Sequence, residues 1–260
     1  MDLHLKGRRA IVTGGSKGLG AAIARELLAE GAAVAICSRN QLELEATATE
    51  LRQAGGQVVA KVADVTNADE VEGFIGHSVA ELGGLDVLVN NAGRAHPGTF
   101  ATLTDADFQA DLEVKLFSQM RCSRAALPHL RNAGGGAIIN INAIYGRQPD
   151  PAFFATSVDR AACLAFNKAL AIELAPEGIL VNSVNIGFVH TPQWRNIHQR
   201  RAPQLTEDQF LAQTAAAEVP LGRFGEADEV SGLVAFLASS RASYITGASI
   251  DVSGGMGRYV

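Results

Sequence analysis

Short β-branched runs alternate with longer helical stretches along almost the whole chain, and this alternation restricts the fold more than any single motif. Ala10-Ile11-Val12 is apolar throughout, as a strand covered on both faces should be. Behind it, Leu19, Ile23 and Leu27 recur at four-residue spacing and mark a helix that Glu30-Gly31 ends. The unit then repeats, with strands at residues 33–37, 58–62, 87–89, 137–141, 180–186 and 249–252. Helices are expected at residues 41–54, 68–82, 104–131 (one or two), 151–174 and 227–238. Such alternation requires right-handed crossovers and a parallel sheet. The expected class is α/β: a doubly wound, seven-stranded parallel sheet with helices on both faces. Residues 187–225 break the pattern and read as an irregular stretch holding one short helix.

No linker, repeat or low-complexity tract divides the chain, so residues 1–260 are expected to form a single domain. Hydrophobic residues make up 47%, enough for a sizeable core, and the net charge of −5 argues against a general affinity for nucleic acid or acidic membranes. No apolar run approaches the roughly 20 residues of a membrane helix. The first residues lack a basic stretch followed by an apolar one, so a cytoplasmic protein is expected. Cys37, Cys122 and Cys163 are too far apart for a zinc ribbon or a redox pair and read as buried free thiols. No His, Cys and Asp cluster has metal-ligand spacing, so no metal is expected.

Between the first strand and its helix lies Thr13-Gly14-Gly15-Ser16-Lys17-Gly18-Leu19-Gly20. Glycines in a strand–turn–helix setting let the backbone approach a ligand closely, and the helix N-terminus offers unpaired N–H groups to a pyrophosphate. NAD-binding folds place an acid at the end of the second strand to hold the ribose 2′-hydroxyl. Here that strand ends in Cys37-Ser38-Arg39-Asn40. Arg39 can fork onto a 2′-phosphate and Lys17 can add a second cation, so NADP(H) is expected over NAD(H).

With these motifs the chain resembles the classical short-chain dehydrogenase/reductase family, most closely its 3-oxoacyl-carrier-protein reductase branch. The glycine turn matches the family's cofactor turn, Asp64-Val65 the pair beside the adenine, and Asn90-Asn91-Ala92-Gly93 the signature after the fourth strand. Residues 187–191 match the segment after the sixth strand, and the C-terminal Tyr244-Ile245-Thr246-Gly247 and Asp251-Val252-Ser253-Gly254-Gly255 also fit. The resemblance implies a Rossmann fold with cofactor contacts from Gly14, Ser16, Lys17, Gly18, Leu19, Gly20, Ser38, Arg39, Asn40, Asp64, Val65, Asn91, Ala92 and Gly93. It adds Gly187, with Val189 and Thr191 at the nicotinamide carboxamide. It also implies a substrate lid at about residues 192–221, a small-molecule or acyl-carrier substrate, and a homotetramer built through the helices at 104–131 and 151–174. Trp194, Arg195, His198, Arg200 and Arg201 mix an aromatic with positive charge in that lid.

The same resemblance exposes a contradiction. The family's proton-donating Tyr falls on Thr156, its Lys on Arg160, its Ser on Ala143 and its Asn on Lys115. No Tyr-x-x-x-Lys exists anywhere in the chain. A threonine hydroxyl is a far weaker acid than a phenol, and Ala143 offers a developing oxyanion no hydrogen bond. A general acid typically supplies about 10²–10⁴-fold in rate and an oxyanion donor about 10²–10³-fold. The expectation is an NADP(H)-binding family member inactive or weak in ordinary hydride transfer, with Arg160 still able to hold the ribose. The alternatives are a reductase rewired around Tyr145 and Lys115, and a non-redox enzyme reusing the pocket. His96 and His190 are expected at the surface near the pocket mouth, and Asp159 on the helix surface.

Overall fold

The architecture was obtained as a computed structural model, which describes residues 2–259. Seven strands form one parallel sheet in the order β3-β2-β1-β4-β5-β6-β7. They are β1 Arg9–Thr13, β2 Ala33–Ser38, β3 Val58–Val62, β4 Val87–Asn90, β5 Gly136–Ala143, β6 Ile179–Ile186 and β7 Ser249–Val252. The helices are α1 Gly18–Ala29, α2 Gln41–Gln53, α3 Ala68–Leu82, α4 Asp105–Leu112, α5 Ser118–Asn132, α6 Phe154–Leu174, α7 Gln193–Arg201, α8 Glu207–Glu218 and α9 Ala227–Ala238. The doubly wound class read from the sequence is thus the observed one.

Alternate residues of each strand feed opposite layers. Val12, Ile36, Val89 and Ile139 pack with Ile23 and Leu27 of α1 and Val234 of α9. Ile11, Ala35, Leu88 and Ile138 pack on the other face with Phe74 of α3 and Leu130 of α5. Both faces of β1 and β2 are apolar, and period-two alternation is correspondingly absent there; β5 departs from this with Ile139-Asn140-Ile141-Asn142, its asparagines buried. All three cysteines are buried and free. No described helix is long and apolar enough to cross a membrane.

Strand order reverses between β1 and β4. In such sheets the crevice at the strands' carboxyl ends, at the reversal, is where ligands bind. Asn91 fastens its two walls together. Its side-chain amide donates to the carbonyls of Thr13 (2.9 Å) and Gly14 (3.2 Å), while its own N–H and that of Ala92 donate to Thr13 Oγ1, each at 3.0 Å.

The 104–131 region is two helices, within the one or two expected; α4 and α5 are joined through a π-helical turn, Glu113–Phe117, that holds Lys115. The 187–225 segment holds two helices rather than one. The second, α8, begins with a capping box in which Thr206 accepts from Gln209 N–H and the Gln209 side chain accepts from Thr206 N–H.

Candidate active site

The glycine turn after β1 makes a cradle that side chains would fill. Gly14 has φ +68°, and a Cβ there would sit 2.9 Å from Ala92 Cα. A Cβ on Gly20 would collide with the Gly14 carbonyl and Asn91 Nδ2. Helix α1 opens at Gly18 with no side chain capping it, so the N–H groups of its first turn remain for a ligand. The 187–191 segment returns over this turn: a Cβ on Gly18 would lie 3.5 Å from both Thr191 Cβ and Pro192 Cδ. Gly187 N–H donates to the Val252 carbonyl (3.0 Å), and Val189 bridges to Gly225, which fixes that segment's path. Ser16 is buried, with its carbonyl bonded by Thr47 Oγ1 at 2.6 Å, and Leu19 lies in the core.

At the end of β2, Arg39 is exposed and stands 3.7 Å from Asp64. Lys17 Nζ donates to both oxygens of Glu43, each at 2.8 Å. Asn40 caps α2 by accepting from Glu43 N–H (3.2 Å), Ser38 Oγ donates to the Asn40 carbonyl (3.2 Å), and Val65 is buried beside Asp64. A glycine cradle, an uncapped helix terminus, Lys17 at the start of α1 and Arg39 at the end of β2 fit a dinucleotide pyrophosphate and a 2′-phosphate. Gly20→Ala drives a methyl into the Gly14 carbonyl and is expected to abolish NADPH binding, read as loss of the NADPH fluorescence change on titration.

Of the four positions that the family resemblance singles out, Lys115, Thr156 and Arg160 are buried together. Lys115 reaches from the π turn to α6, where its Nζ donates to Thr156 Oγ1 at 2.7 Å; it also makes a very short bond to Asp111 Oδ2. Thr156 Oγ1 lies 3.4 Å from the same Asp111 oxygen. Arg160, one turn along α6, donates from Nη1 to the Ile141 carbonyl (2.9 Å) and to Asn142 Oδ1 (3.0 Å), and its Nε has no partner. A Cβ on Gly93 would stand 3.3 Å from Arg160 Nη2, so Arg160 borders the turn after β4. Ala143, half-buried, closes β5 and contributes no polar side-chain atom. Lys115 is 1% exposed and Asp111 0%.

Burial, with repulsion from Arg160, lowers the Lys115 pKa to about 8 against the opposing pull of Asp111 and Asp159. Asp159 is buried too, which corrects the expectation of a surface carboxylate. Burial, then hydrogen bonding to and repulsion from Asp111, raises its pKa from 3.8 to about 7. The folded form therefore holds a proton that the unfolded chain releases, and the stability this contributes is complete below about pH 4 and lost as pH rises through about 7. Asp159→Asn should flatten that slope, read as urea midpoints at about pH 5 and about pH 8 that differ less than in the wild type.

Tyr145 is elsewhere. It stacks on Phe153 with centroids 5.0 Å apart, makes no hydrogen bond to Lys115, and burial pushes its phenol well above its ordinary pKa. Trp194 is likewise withdrawn from solvent, wedged between Phe188 (4.8 Å) and Phe224 (4.7 Å). His190 is half-exposed, as expected, whereas His96 faces the buried Asp111. Among the described residues no group of three or more His, Cys, Asp or Glu side chains could hold a metal ion.

The comparisons bear on this site. Residues 14–257 match the family described as enoyl-(acyl carrier protein) reductase. The 4-formylbenzenesulfonate dehydrogenase of Comamonas testosteroni is 37% identical over 97% of this chain and 99% of its own. L-sorbose reductase from Gluconobacter frateurii, solved with NADPH and L-sorbose, superposes with a TM-score of 0.96 at 32% identity over the whole of both chains. A short-chain oxidoreductase from Pseudomonas aeruginosa PAO1, solved with NADPH and described as containing an atypical catalytic center, is 40% identical over 97% of this chain and 98% of that one, with a TM-score of 0.91. A match over nearly the whole length, carried by a glycine cradle at the β1/β4 crevice, assigns the chain to the short-chain dehydrogenase/reductase family.

Proposed function

We propose that the protein is an NADP(H)-dependent carbonyl reductase in which Lys115 supplies the proton that a tyrosine supplies in its relatives. The observation that carries this is the Lys115 ammonium, held 2.7 Å from the Thr156 hydroxyl at the tyrosine position, with a pKa drawn down to about 8. A buried acid with a pKa near the working pH is matched to proton transfer. Bound NADPH supplies a hydride, with its electron pair, to the carbonyl carbon. Lys115 gives a proton to the carbonyl oxygen as negative charge grows there, and the ammonium stabilises that charge before the transfer. Thr156 and Asp111 orient Nζ through two of its three hydrogens, leaving the third for the substrate oxygen. Arg160, fixed on Ile141 and Asn142, keeps a positive charge at the ribose wall. NADPH in the two solved relatives, together with Arg39 after β2 and Lys17 before α1, supports the choice of NADP(H). Exposed Phe100, Val158 and Ile172, the last two on α6, support self-assembly through that face.

A second reading has one observation behind it. Lys115 is 1% exposed and already bonded twice, which suits a structural ion cluster in a protein that binds dinucleotide without turnover. The two separate cleanly. Titrate NADPH, then follow its oxidation with ketones, aldehydes and 3-oxoacyl thioesters. Turnover that saturates in the carbonyl compound supports the reductase; tight NADPH binding with none across the panel supports the silent member.

A further inference from the structure

A proton donor sealed from water has to be recharged. Lys115 is 1% exposed, and once its Nζ–H bond has broken and an O–H bond has formed on the product, a neutral amine is left. Thr156 beside it is also buried, so bulk water has no direct access. Asp159 offers no exit, because it too is buried and its Oδ2 has no partner.

Asp111 does offer one. Its Oδ2 takes the bond from Lys115, while its Oδ1 is buried without a partner. Facing that oxygen at 3.8 Å is His96 Nδ1, also buried without a partner. The other ring nitrogen, Nε2, lies 3.6 Å from Asp107 Oδ1, on a side chain 40% exposed. The loop carrying His96 is tied down next door, where Ala95 N–H donates to Gln193 Oε1 at 3.0 Å. One carboxylate thus touches the lysine with one oxygen and faces the imidazole with the other, and the far side of that imidazole opens toward solvent.

We propose that Asp111 and His96 carry protons from solvent to Lys115. This rests on Lys115 being the proton donor. A proton enters at His96 Nε2 and leaves from Nδ1 to Asp111 Oδ1. The Oδ1–H bond so formed is carried to the lysine by rotation of the carboxyl group about its Cβ–Cγ bond, and it breaks there as an N–H bond forms on the Lys115 amine, restoring the ammonium and the carboxylate. No electrons move along this path; the only reduction is that of the carbonyl by NADPH. An imidazole suits the task because its two nitrogens can exchange proton-bearing roles without the ring leaving its place. Of the other charged groups of the cluster, Asp159 on α6 faces Asp111 as well as Lys115, and Arg160 faces Lys115; the carboxylates paired with His96 are Asp107 and Asp111. Asp111 and His96 are positioning residues, since they reach the substrate only through Lys115.

The test needs no cofactor and no turnover. In cofactor-free protein with 15N-labelled lysine, NMR reads the exchange of the Lys115 Nζ hydrogens with water. His96→Ala should slow that exchange at least about tenfold, and added imidazole should restore it. Asp107→Asn, which keeps the ring and alters only its solvent end, should slow exchange less. In steady-state assays His96→Ala should lower kcat with KM unchanged, and imidazole should recover kcat. Exchange that is the same in His96→Ala and wild type, or slowed exchange that imidazole fails to restore, overturns the relay. A protein that never reduces a carbonyl but shows His96-dependent exchange would remove the proposed chemistry and leave the relay standing; a working reductase with His96-independent exchange would do the reverse.

Discussion

Lys115→Met should lower kcat for NADPH-dependent carbonyl reduction by about 10²–10⁴-fold, the usual contribution of a general acid, and leave the Kd for NADPH unchanged. Methionine keeps the length and most of the packing of the lysine stem but carries no proton and no charge. Binding is spared because the cradle at Gly14 and Gly20 and the cations Arg39 and Lys17 stand apart from the buried cluster. Steady-state rates beside a fluorescence titration of NADPH separate the two effects. A matching fall in Tyr145→Phe would point to the phenol instead, but Tyr145 is stacked on Phe153 and its raised pKa makes it a poorer acid. Tyr145→Phe is therefore expected to keep most of the rate.

Asp111→Ala should be the most destabilising single change in the site, costing about 3–5 kcal/mol, because it strands a buried positive charge. Lys115 would then face Arg160 with only Asp159 as a counter-charge. The sign of the pH dependence follows. Losing Asp111 lowers the Lys115 pKa further, and a neutral amine needs no partner, so the cost shrinks as pH rises. Urea unfolding at about pH 6 and about pH 9 should show the larger loss at the lower pH. Asp111→Ala combined with Lys115→Met should cost less than Asp111→Ala alone, since no charge is left stranded. Equal losses at both pH values would mean that the carboxylate serves packing and not charge.

The sheet was readable in the residues because its strands are apolar on both faces and its helices repeat at four-residue spacing. The glycine turn was readable because Gly14 to Gly20 sit between a strand and a helix, the setting in which such glycines keep the backbone clear for a ligand. The chemistry was only half readable. Resemblance to the family singles out Lys115, Ala143, Thr156 and Arg160, but what those side chains can do depends on burial. Asp159 sits beside Arg160 in the sequence like any surface carboxylate, and only the packing of α6 puts it in the interior. Asp111 was overlooked although it lies four residues before Lys115, a spacing that pairs the two on one helical face. His96 needed the path of the loop after β4, which no local pattern encodes. The second helix of the 187–225 segment, α8, did carry a local signal, Thr206 with Gln209 three residues on, but its alanine-rich body gives a weak hydrophobic stripe. The π turn at Glu113–Phe117 has no signature in those residues, yet it places Lys115 against Thr156.

If the Lys115 ammonium, and no phenol, protonates the substrate, kcat/KM for NADPH-dependent ketone reduction should hold a plateau below about pH 8 and fall about tenfold per pH unit above it, as a single group of that pKa loses its proton. The falling limb should be absent from the residual activity of Lys115→Met. A profile that stays level to about pH 10, where Lys115 would be neutral and a phenol still protonated, would contradict proton donation by Lys115.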